Sequence, residues 1–363
     1  MINLDILIVG GGIGGASLGA EVASFRRTMI IEAEELCGYH STGRSAAFFL
    51  ESYGGPTVAQ LSTASAGFLH DPPQDFAERT FLHRRGALHL SQADWPELPA
   101  EVFARRVDRQ ELERMVPGIN PIWTKALLEP SCADIDVAAL HAAFLRQFRR
   151  RGGMIQTNAR LTGARREQCA WRVTLSDGSE LTAGILVNAA GAWADSVAEA
   201  CGVARLGIAP KRRTMVQLRV GQSGLRNLPL VNDSDGNFYF KGEGDQSIWL
   251  SPHDEIDTEP CDAAPEEIDI ATAIDRFENV VNWPIERVER SWAGLRSFAP
   301  DRVPVYGFDP DVPGFFWCAG QGGFGIQTSP AAGKLSASVL LDEEPDASIT
   351  HIDPRDFSPE RFR

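Results

Sequence analysis

Three glycines near the start of the chain are spaced to bind a phosphate group. Gly10, Gly12 and Gly15 form a Gly-x-Gly-x-x-Gly pattern directly after the apolar run at 4–9. The first glycine permits a tight turn, the second lets backbone N–H groups approach a pyrophosphate, and the third lets a helix pack closely on a strand. Glu32 ends the next apolar run, "TMIIE", about 20 residues further on, where a carboxylate can bind a ribose. The spacing therefore predicts a dinucleotide site.

The segment after Glu32 indicates which dinucleotide to expect. In "EELCGYHSTGRSAA" (34–47), Ser41, Thr42 and Ser45 supply hydroxyl groups and Arg44 supplies a fixed charge, with glycines for turns. An NAD dehydrogenase would continue into ordinary crossover sequence at this point. A loop of this composition can instead wrap the extended second half of a larger cofactor. The segment therefore favours FAD over NAD.

Helical and strand patterns in the sequence predict the elements that position these residues. Apolar residues over 137–148 recur with a helical period, and Asp136 is the expected N-cap. A hairpin turn is expected at Asp177–Gly178, followed by an apolar strand that ends at 187. Residues 212–250 alternate in polarity and carry aromatic side chains, which predicts an antiparallel sheet.

These patterns predict an α/β fold. It consists of an FAD/NAD(P)-binding Rossmann-like domain and a second, antiparallel-sheet-based substrate domain. The FAD-binding domain is expected to be discontinuous, comprising 1–47, 137–207 and 300–363. The substrate domain then comprises 48–136 and 208–299.

Composition argues against several functions. The net charge of −14 leaves no basic surface for a nucleic acid. The six cysteines form no Cys-x-x-Cys pair and the histidines lack ligand spacing, so no metal site is expected. No run of about 18 apolar residues is present and no signal peptide precedes the first strand, so no transmembrane segment is expected. A cytoplasmic location is expected, with peripheral membrane contact left open.

Residues 32–49 are expected to form an arm that carries the chain from the adenosine ribose to the flavin. This arm resembles that of the D-amino-acid oxidase/dehydrogenase (DAO) family of FAD-dependent oxidoreductases, and most closely that of its D-arginine and D-amino-acid dehydrogenases. The shared pattern is an acid followed by Gly and Ser-x-x-Arg-Ser. Four further stretches resemble that family in the same order, so the resemblance covers nearly the whole chain. They are "LVNAAGAWAD" (186–195), "WAGLRSFAPDRVPVYG" (292–307), "FFWCAGQGGFGIQTSPAAGKL" (315–335) and "IDPRDFSPERF" (352–362).

The resemblance implies noncovalent FAD. Ser297 and Phe298 stand where relatives with covalent FAD carry a cysteine, while Cys318 is interpreted as a packing residue. The last glycine-rich motif implies a helix N-terminus that stabilises negative charge on the reduced flavin. His40 is interpreted as a hydrogen-bond partner of the flavin or its loop rather than as a base. The implied cofactor contacts are Gly10, Gly12, Ile13, Gly14, Gly15, Glu32, Ala33, His40, Ser41, Thr42, Arg44, Ser45, Ala46, Ala47, Leu161, Ala190, Gly191, Trp193, Gly322, Gly323, Phe324, Gly325, Ile326, Gln327 and Thr328.

The resemblance also implies a reaction. Such relatives oxidise an amine next to a carboxylate by hydride transfer from Cα to flavin N5, and the resulting imino acid hydrolyses to a 2-oxo acid and ammonia. The motif match makes Arg296 the carboxylate-binding residue, which suits a guanidinium group. Tyr239 is implied to hydrogen-bond the same carboxylate, and Tyr53 to line the pocket. Arg213 is a further pocket candidate, with Arg212 as the alternative inward residue.

Two departures from relatives bear on specificity. Phe48 and Ala87 stand where relatives that accept cationic D-amino acids carry polar or acidic side chains, which implies a small or apolar substrate side chain. Trp249 stands where sarcosine-oxidase-like members carry a lysine that promotes reaction with O2, which favours a dehydrogenase. The electron acceptor stays open among a quinone, a carrier and O2. The alternatives are a glycine/sarcosine-type oxidase, a 2-hydroxy-acid dehydrogenase and an FAD-carrying subunit of a complex.

Overall fold

The structure is a computed structural model that describes residues 2–92, 94–99 and 102–362. Its strands, in chain order, are β1 (Ile2–Val9), β2 (Thr28–Ile31), β3 (Phe48–Phe49), β4 (Leu82–Arg84), β5 (Ala87–Ser91), β6 (Arg105–Val107), β7 (Lys125–Glu129), β8 (Ala133–Ile135), β9 (Met154–Gln156), β10 (Leu161–Glu167), β11 (Ala170–Leu175), β12 (Glu180–Asn188), β13 (Ala209–Val220), β14 (Leu230–Asp233), β15 (Tyr239–Gly242), β16 (Ser247–Ser251), β17 (Ile256–Asp257), β18 (Ile285–Phe298), β19 (Val305–Phe308), β20 (Phe315–Ala319) and β21 (Gln321–Gly322). The helices are α1 (Ile13–Val22), α2 (Gly55–His70), α3 (Arg109–Met115), α4 (Val137–Arg150), α5 (Ala194–Ala200), α6 (Glu267–Glu278) and α7 (Gly325–Leu341).

The first sheet has the central order β12-β1-β2-β9, in which neighbouring strands are parallel. β20 adds in parallel on β12, and the β10–β11 hairpin extends the sheet beside it. Alternate residues of β1 enter two cores, with Ile6 and Ile8 on one face and Leu7 and Val9 on the other. Burial on both faces explains why the strand is apolar throughout. α1, α4 and α7 cover the face that holds Ile6.

The second sheet is built around two long antiparallel strands, β13 and β18. Its order is β21-β18-β13-β16-β15-β14-β5-β7-β6, with β17 also paired to β13. One face packs on α6 through a core that contains Phe240, Phe277 and Trp283. The pairing is antiparallel except between β14 and β5, which are parallel. A third, small sheet has the order β3-β8-β4.

The predicted α/β fold, a Rossmann-like domain with a second sheet that is mainly antiparallel, is confirmed. α4 begins at Val137, and the side chain of its N-cap Asp136 accepts a hydrogen bond from the backbone N–H of Ala139 (3.0 Å), as expected. The hairpin between β11 and β12 turns at Asp177–Gly178. The domain boundaries stay a prediction.

Candidate active site

The carboxyl ends of the central parallel strands meet at one edge of the first sheet. Val9 pairs with Ile31 on one side and with Asn188 on the other. Gly10 and Glu32, which follow two of these strands, therefore lie close together. A cavity of about 300 Å³ begins at this edge and extends to β13, β15 and β18 of the second sheet.

The glycine-rich turn lies against the neighbouring strand end. Gly10 has φ +107°, and a Cβ on it would lie 2.4 Å from the carbonyl oxygen of Ala189. A Cβ on Gly15 would lie 2.0 Å from the carbonyl oxygen of Gly10, so Gly15 serves packing and does not line the cavity. Gly12, the N-cap of α1, offers no side chain, and the first turn of α1 at Ile13 and Gly14 lines the cavity. This helix end can therefore bind an anion.

Glu32 is held in the cavity wall by backbone donors. Its Oε2 accepts a hydrogen bond from the N–H of Gly11 (2.9 Å) and its Oε1 from that of Glu34 (3.1 Å). His141 of α4 reaches the same turn and places its Nε2 2.9 Å from the carbonyl oxygen of Gly11. Burial lowers the pKa of His141, so the neutral ring donates from Nε2. This supporting role of His141 was not predicted, because its position on an apolar helix face gave no signal.

The hydroxyl groups of the arm bond to the protein itself. Thr42 accepts a hydrogen bond on Oγ1 from the N–H of Ile13 (3.0 Å), which fastens the arm to the start of α1. Ser45 Oγ accepts from the N–H of Ala47 (3.1 Å), and Ser41 Oγ donates to the carbonyl of Leu295. Ser41, Thr42 and Ser45 also line the cavity, so they fix the arm, and their contact with the cofactor stays a prediction.

Arg44 joins the arm to the second sheet. Its Nη1 donates to the carbonyl oxygens of Ala263 (2.8 Å) and Ala293 (3.2 Å), and its Nη2 pairs with Asp262. Trp292 donates in return from Nε1 to the carbonyl of Arg44 (2.9 Å). The guanidinium group thus binds the 262–263 segment and β18, although Arg44 also lines the cavity.

The side chains of His40 and Trp193 lie in contact in the cavity wall. Their ring centroids are 4.6 Å apart, and His40 Nε2 lies 3.0 Å from Oε1 of Glu34. Other predicted cofactor residues that line the same cavity are Ala33, Ala46, Leu161, Ala190 and Gly191. The predicted set from 10 to 193 is therefore gathered on one cavity, apart from Gly15 and Ala47.

The start of α7 reaches the cavity from the opposite side. Gly322, Gly323, Gly325 and Ile326 line the cavity, while the three other residues predicted in this motif turn into the protein. Phe324 packs on the ring of Tyr53, and Thr328 Oγ1 donates to the carbonyl of Phe324. The side chain of Gln327 bonds the backbone of Leu50 and the hydroxyl of Ser62.

Arg296 lies at the far end of the cavity. Its Nη1 donates to the hydroxyl oxygen of Tyr53 (2.8 Å), and among the described residues no carboxylate forms an ion pair with it. Gly323 lies directly beside this pair, because a Cβ there would be 2.7 Å from the Tyr53 oxygen and 3.0 Å from Arg296 Nη1. Tyr53 itself contacts Arg296 without lining the cavity wall.

Arg213 faces the same space as Arg296. It pairs with Gly294 across β13 and β18, so its side chain and that of Arg296, two residues along, leave the same face of the sheet. Its Nε donates to the carbonyl of Asp254 (2.6 Å) and its Nη2 to Glu255 (3.3 Å). Its buried Nη1 has no hydrogen-bond partner within the described part of the chain.

Charge around Arg213 favours a bound anion. Burial lowers the pKa of Arg213, and the nearby positive charge of Arg296 lowers it further. A negatively charged ligand would offset the repulsion between the two guanidinium groups and favour the charged form of Arg213. Arg212, the alternative inward residue, instead pairs with Glu266 and Asp269.

Tyr239 lines the cavity with a hydroxyl that has a weak partner. Its O–H donates to the thioether sulfur of Met215 (3.1 Å), which is a poor acceptor. Behind these two residues lies an apolar cluster that also contains Leu50, Ala87, Cys132, Leu230, Ala46, Phe48, Tyr53, Trp249 and Trp292. Met215, Gly294, Leu295 and Gln321 line the cavity as well but were not predicted, because only strand register reveals which side chains face inward.

These features fit FAD. Two helix N-termini without side-chain caps, those of α1 and α7, line one elongated cavity and can stabilise the phosphates and a reduced flavin. Glu32 lies at one end of the cavity, where it can bind a ribose, and the arm connects that end to the end at Arg296. Burial raises the pKa of Cys318 to about 12, consistent with a packing role.

The described residues contain neither a metal-binding cluster nor a membrane-spanning helix. Within them, no group of three or more His, Cys, Asp or Glu side chains is arranged to hold a metal ion. No helix in that part of the chain is long and apolar enough to span a bilayer.

Known proteins share this architecture. Mitochondrial dimethylglycine dehydrogenase of Rattus norvegicus is 24% identical over 403 residues, covering 97% of this chain but 45% of that protein, so the chain spans less than half of that relative. L-proline dehydrogenase from P. horikoshii superimposes with a TM-score of 0.83 at 20% identity, covering 99% of this chain and 98% of the other. Glycine oxidase from Geobacillus kaustophilus gives 0.80 at 19% identity, covering 97% and 98%. At 19% and 20% identity, the likeness to these two structures shows a shared fold alone.

A sequence model of one family matches most of the chain. The family is described as FAD dependent oxidoreductase (DAO), and the match covers residues 5–339. The three relatives above are named for dimethylglycine, L-proline and glycine, so they support the family as a whole and not a particular likeness to D-arginine dehydrogenases. From the family match, the shared fold and a cavity that fits the cofactor, we conclude that the chain belongs to the DAO family of FAD-dependent oxidoreductases.

Proposed function

We propose that the protein is an FAD-dependent amino-acid dehydrogenase that oxidises the Cα–N bond of a D-amino acid with a small or apolar side chain. The observation that carries the proposal is Arg296, a guanidinium group at the cavity end that has Tyr53 as its partner and no carboxylate among the described residues. Burial opposes the charge of Arg296, but its neighbours, including Glu255 and Asp254, raise its pKa. The guanidinium group is therefore charged, and the N–H groups that Tyr53 does not use can bind an anionic ligand.

A substrate carboxylate fits this end of the cavity. A guanidinium group binds a carboxylate through parallel hydrogen bonds, and Arg296 can present its remaining N–H groups. Tyr53 accepts from Arg296 and so fixes the direction of the guanidinium group. Tyr239 can exchange its weak sulfur acceptor for a carboxylate oxygen. Together these groups orient the ligand.

The arginine residues also favour the reactive form of the amine. Loss of hydride from Cα requires the neutral amine, and the positive charges of Arg213 and Arg296 favour loss of a proton from a neighbouring ammonium group. Bound FAD supplies the two-electron oxidant for the Cα–H bond. Hydrolysis of the imino acid product gives a 2-oxo acid and ammonia.

The side chain of the substrate is proposed to enter the apolar cluster behind Met215 and Tyr239. Lys241 supports rejection of cationic side chains, since its ammonium lies 4.7 Å from the ring centroid of Trp249 and 5.2 Å from that of Phe48. It pairs with Asp134 (3.0 Å), which is thereby unavailable to a ligand. D configuration rests on the resemblance of the sequence motifs.

The acceptor is proposed to be a quinone or an electron carrier rather than O2. Trp249, at the position of the oxygen-promoting lysine, donates from its indole N–H to Gln217 and packs on Trp292. Cytoplasmic location and the lack of a nucleic-acid partner stay predictions.

A substrate screen tests the proposal. The FAD-loaded protein is assayed with D- and L-amino acids, glycine, sarcosine and 2-hydroxy acids, using a dye as acceptor or O2 alone, and 2-oxo acid, ammonia and peroxide are measured. The proposal predicts 2-oxo acid and ammonia from apolar D-amino acids with the dye. Peroxide formed rapidly from glycine or sarcosine would indicate an oxidase, and turnover of hydroxy acids alone would contradict the amine assignment.

A further inference from the structure

A buried carboxylate bonds to the turn that carries Tyr53. Glu129, the last residue of β7, is fully buried. Its Oε2 accepts a hydrogen bond from Ser52 Oγ (2.7 Å) and lies 3.0 Å from Nε2 of His89. Asn232 Nδ2 lies 3.2 Å from the second ring nitrogen of His89. The network therefore links β5, β7 and β14 to the turn that follows β3.

That turn carries the tyrosine of the proposed carboxylate site. Ser52 directly precedes Tyr53, and the backbone N–H of Ser52 also points at Glu129 Oε1 (3.4 Å). The N–H of Tyr53 donates to the carbonyl of Leu50 (3.2 Å), which closes the turn. Gly54 follows with φ +109°, a backbone conformation that an L side chain rarely adopts.

The other end of the turn is fixed independently. Gln327 of α7 bonds both backbone groups of Leu50, accepting from its N–H (3.1 Å) and donating to its carbonyl (3.3 Å). The Tyr53 ring rests on Phe324, with centroids 4.9 Å apart. Glu129 thus attaches the turn to the second sheet at Ser52, in addition to the hydrogen bond between Tyr53 and Arg296 of the same sheet.

Stability alone does not account for a carboxylate in this position. Apolar replacement of a buried ionic group is often neutral or stabilising, so such a group is weak evidence for a stabilising role. Burial raises the pKa of Glu129, but the hydrogen bonds from His89 and Ser52 outweigh that effect and keep the pKa below its ordinary value. The carboxylate is therefore ionised and acts as a strong, directional acceptor for Ser52.

We infer that Glu129 is a positioning residue for carboxylate recognition, which holds the Tyr53 hydroxyl beside Arg296 by fixing the turn through Ser52. The inference rests on the proposed function, in which Arg296, oriented by Tyr53, binds the substrate carboxylate. Glu129 acts only through Tyr53. Its effect on ligand binding must therefore disappear when the Tyr53 hydroxyl is removed.

A double-mutant cycle tests this dependence. Benzoate, a carboxylate with no oxidisable Cα–N bond, is titrated into the FAD-loaded protein, and its Kd is obtained from the change in flavin absorbance. The proteins are wild type, Glu129→Gln, Tyr53→Phe and the double variant. We expect Glu129→Gln to raise the Kd about tenfold when Tyr53 is present and less than about twofold in Tyr53→Phe.

Two additional variants keep the result interpretable. Ser52→Ala removes the same hydrogen bond without altering a buried charge, and it serves in the same cycle if Glu129→Gln does not fold. Ser131→Ala is the matched control. Ser131 Oγ also donates a hydrogen bond to Glu129 Oε1, but this bond is long (3.4 Å) and Ser131 lies outside the Tyr53 turn. The control is expected to leave the Kd unchanged.

The outcomes separate the inference from the proposed function. Equal losses of affinity with and without the Tyr53 hydroxyl would overturn the positioning role while leaving the carboxylate site intact. Failure of the wild-type holoprotein to bind benzoate would count against the proposed function, and the inference would fall with it. If the effects of Glu129→Gln and Ser52→Ala on the Kd both depend on the Tyr53 hydroxyl, and Ser131→Ala has no effect, the result would support the positioning role and the proposed carboxylate site.

Discussion

Arg296 and Tyr239 are the individual residues on which the proposed chemistry depends. Both lie at the second-sheet end of the cavity. Within the described residues, Arg296 forms no ion pair, and the Tyr239 hydroxyl donates only to a thioether sulfur. Arg213, on the neighbouring strand, adds a buried Nη1 without a partner in that same part of the chain. A single carboxylate could accept hydrogen bonds from all three of these groups, and it is their combination that points to a carboxylate ligand.

Replacement of Arg296 by Met is expected to reduce kcat/KM by about 100-fold or more, since a charge-assisted pair to the carboxylate is lost. FAD content and its visible spectrum should not change. Arg287→Met is the matched control, because Arg287 lies on the same strand, is 61% exposed and pairs with Glu289 on the surface. Steady-state kinetics on both variants would decide, and equal losses in the two would refute the role of Arg296.

Tyr239→Phe is expected to reduce kcat/KM by about tenfold while leaving the free energy of unfolding nearly unchanged, because the hydroxyl gives up only a sulfur contact. Denaturant unfolding measured beside kinetics separates these effects. A loss of stability as large as the loss of transition-state binding would assign Tyr239 to packing.

Among the larger elements, the arm connects the two sheets along the cofactor cavity. Thr42 ties the arm to α1, and Arg44 ties it to the 262–263 segment and to β18. Asp262 also accepts a hydrogen bond from the Tyr39 hydroxyl (3.2 Å). The arm therefore holds a covering segment in place, and release of that segment would ease loss of FAD.

Asp262→Asn is expected to raise the Kd for FAD about threefold, a small effect because the Asp262 side chain is largely exposed. Asp257→Asn, which breaks the exposed pair with Lys211, should leave the Kd unchanged. Fluorescence of released FAD measures both. No difference between the two variants would show that the segment does not retain the cofactor.

The same tie has a pH dependence of known sign. The hydrogen bond from Arg44 lowers the pKa of Asp262. The contribution of the Arg44–Asp262 pair to FAD retention is therefore fully present above the ordinary carboxyl pKa of about 4, and it is lost as the pH falls through the lower pKa of the folded state. The acid sensitivity of FAD retention should therefore be smaller in Asp262→Asn than in wild type. Identical profiles would contradict this.

Local signals explain which parts of the site were predictable. The glycine turn, Glu32 and the Asp136 cap depend on neighbours in sequence, and the sequence patterns predicted them. The choice between Arg212 and Arg213 depends on strand parity, because a shift of one residue exchanges the faces of β13. The direction of Arg44 depends on Asp262, more than 200 residues away. No local pattern carries that information.

For the molecule as a whole, the cavity lies between the two large sheets, so a bound cofactor contacts both. FAD binds only the folded arrangement, and a ligand at about 100 times its Kd stabilises the folded state by ~2.7 kcal/mol. The Tm should therefore rise with FAD concentration. NAD serves as the control and should give no shift. A response to NAD equal to that of FAD would contradict the interpretation of the arm.

The most direct test of the central claim is an anaerobic titration of the FAD-loaded protein, followed by its visible spectrum. An apolar D-amino acid is expected to bleach the flavin absorbance of wild type, and to leave that of Arg296→Met unchanged at the same concentration. A flavin that no amino acid of either configuration, including glycine, can reduce would contradict the account.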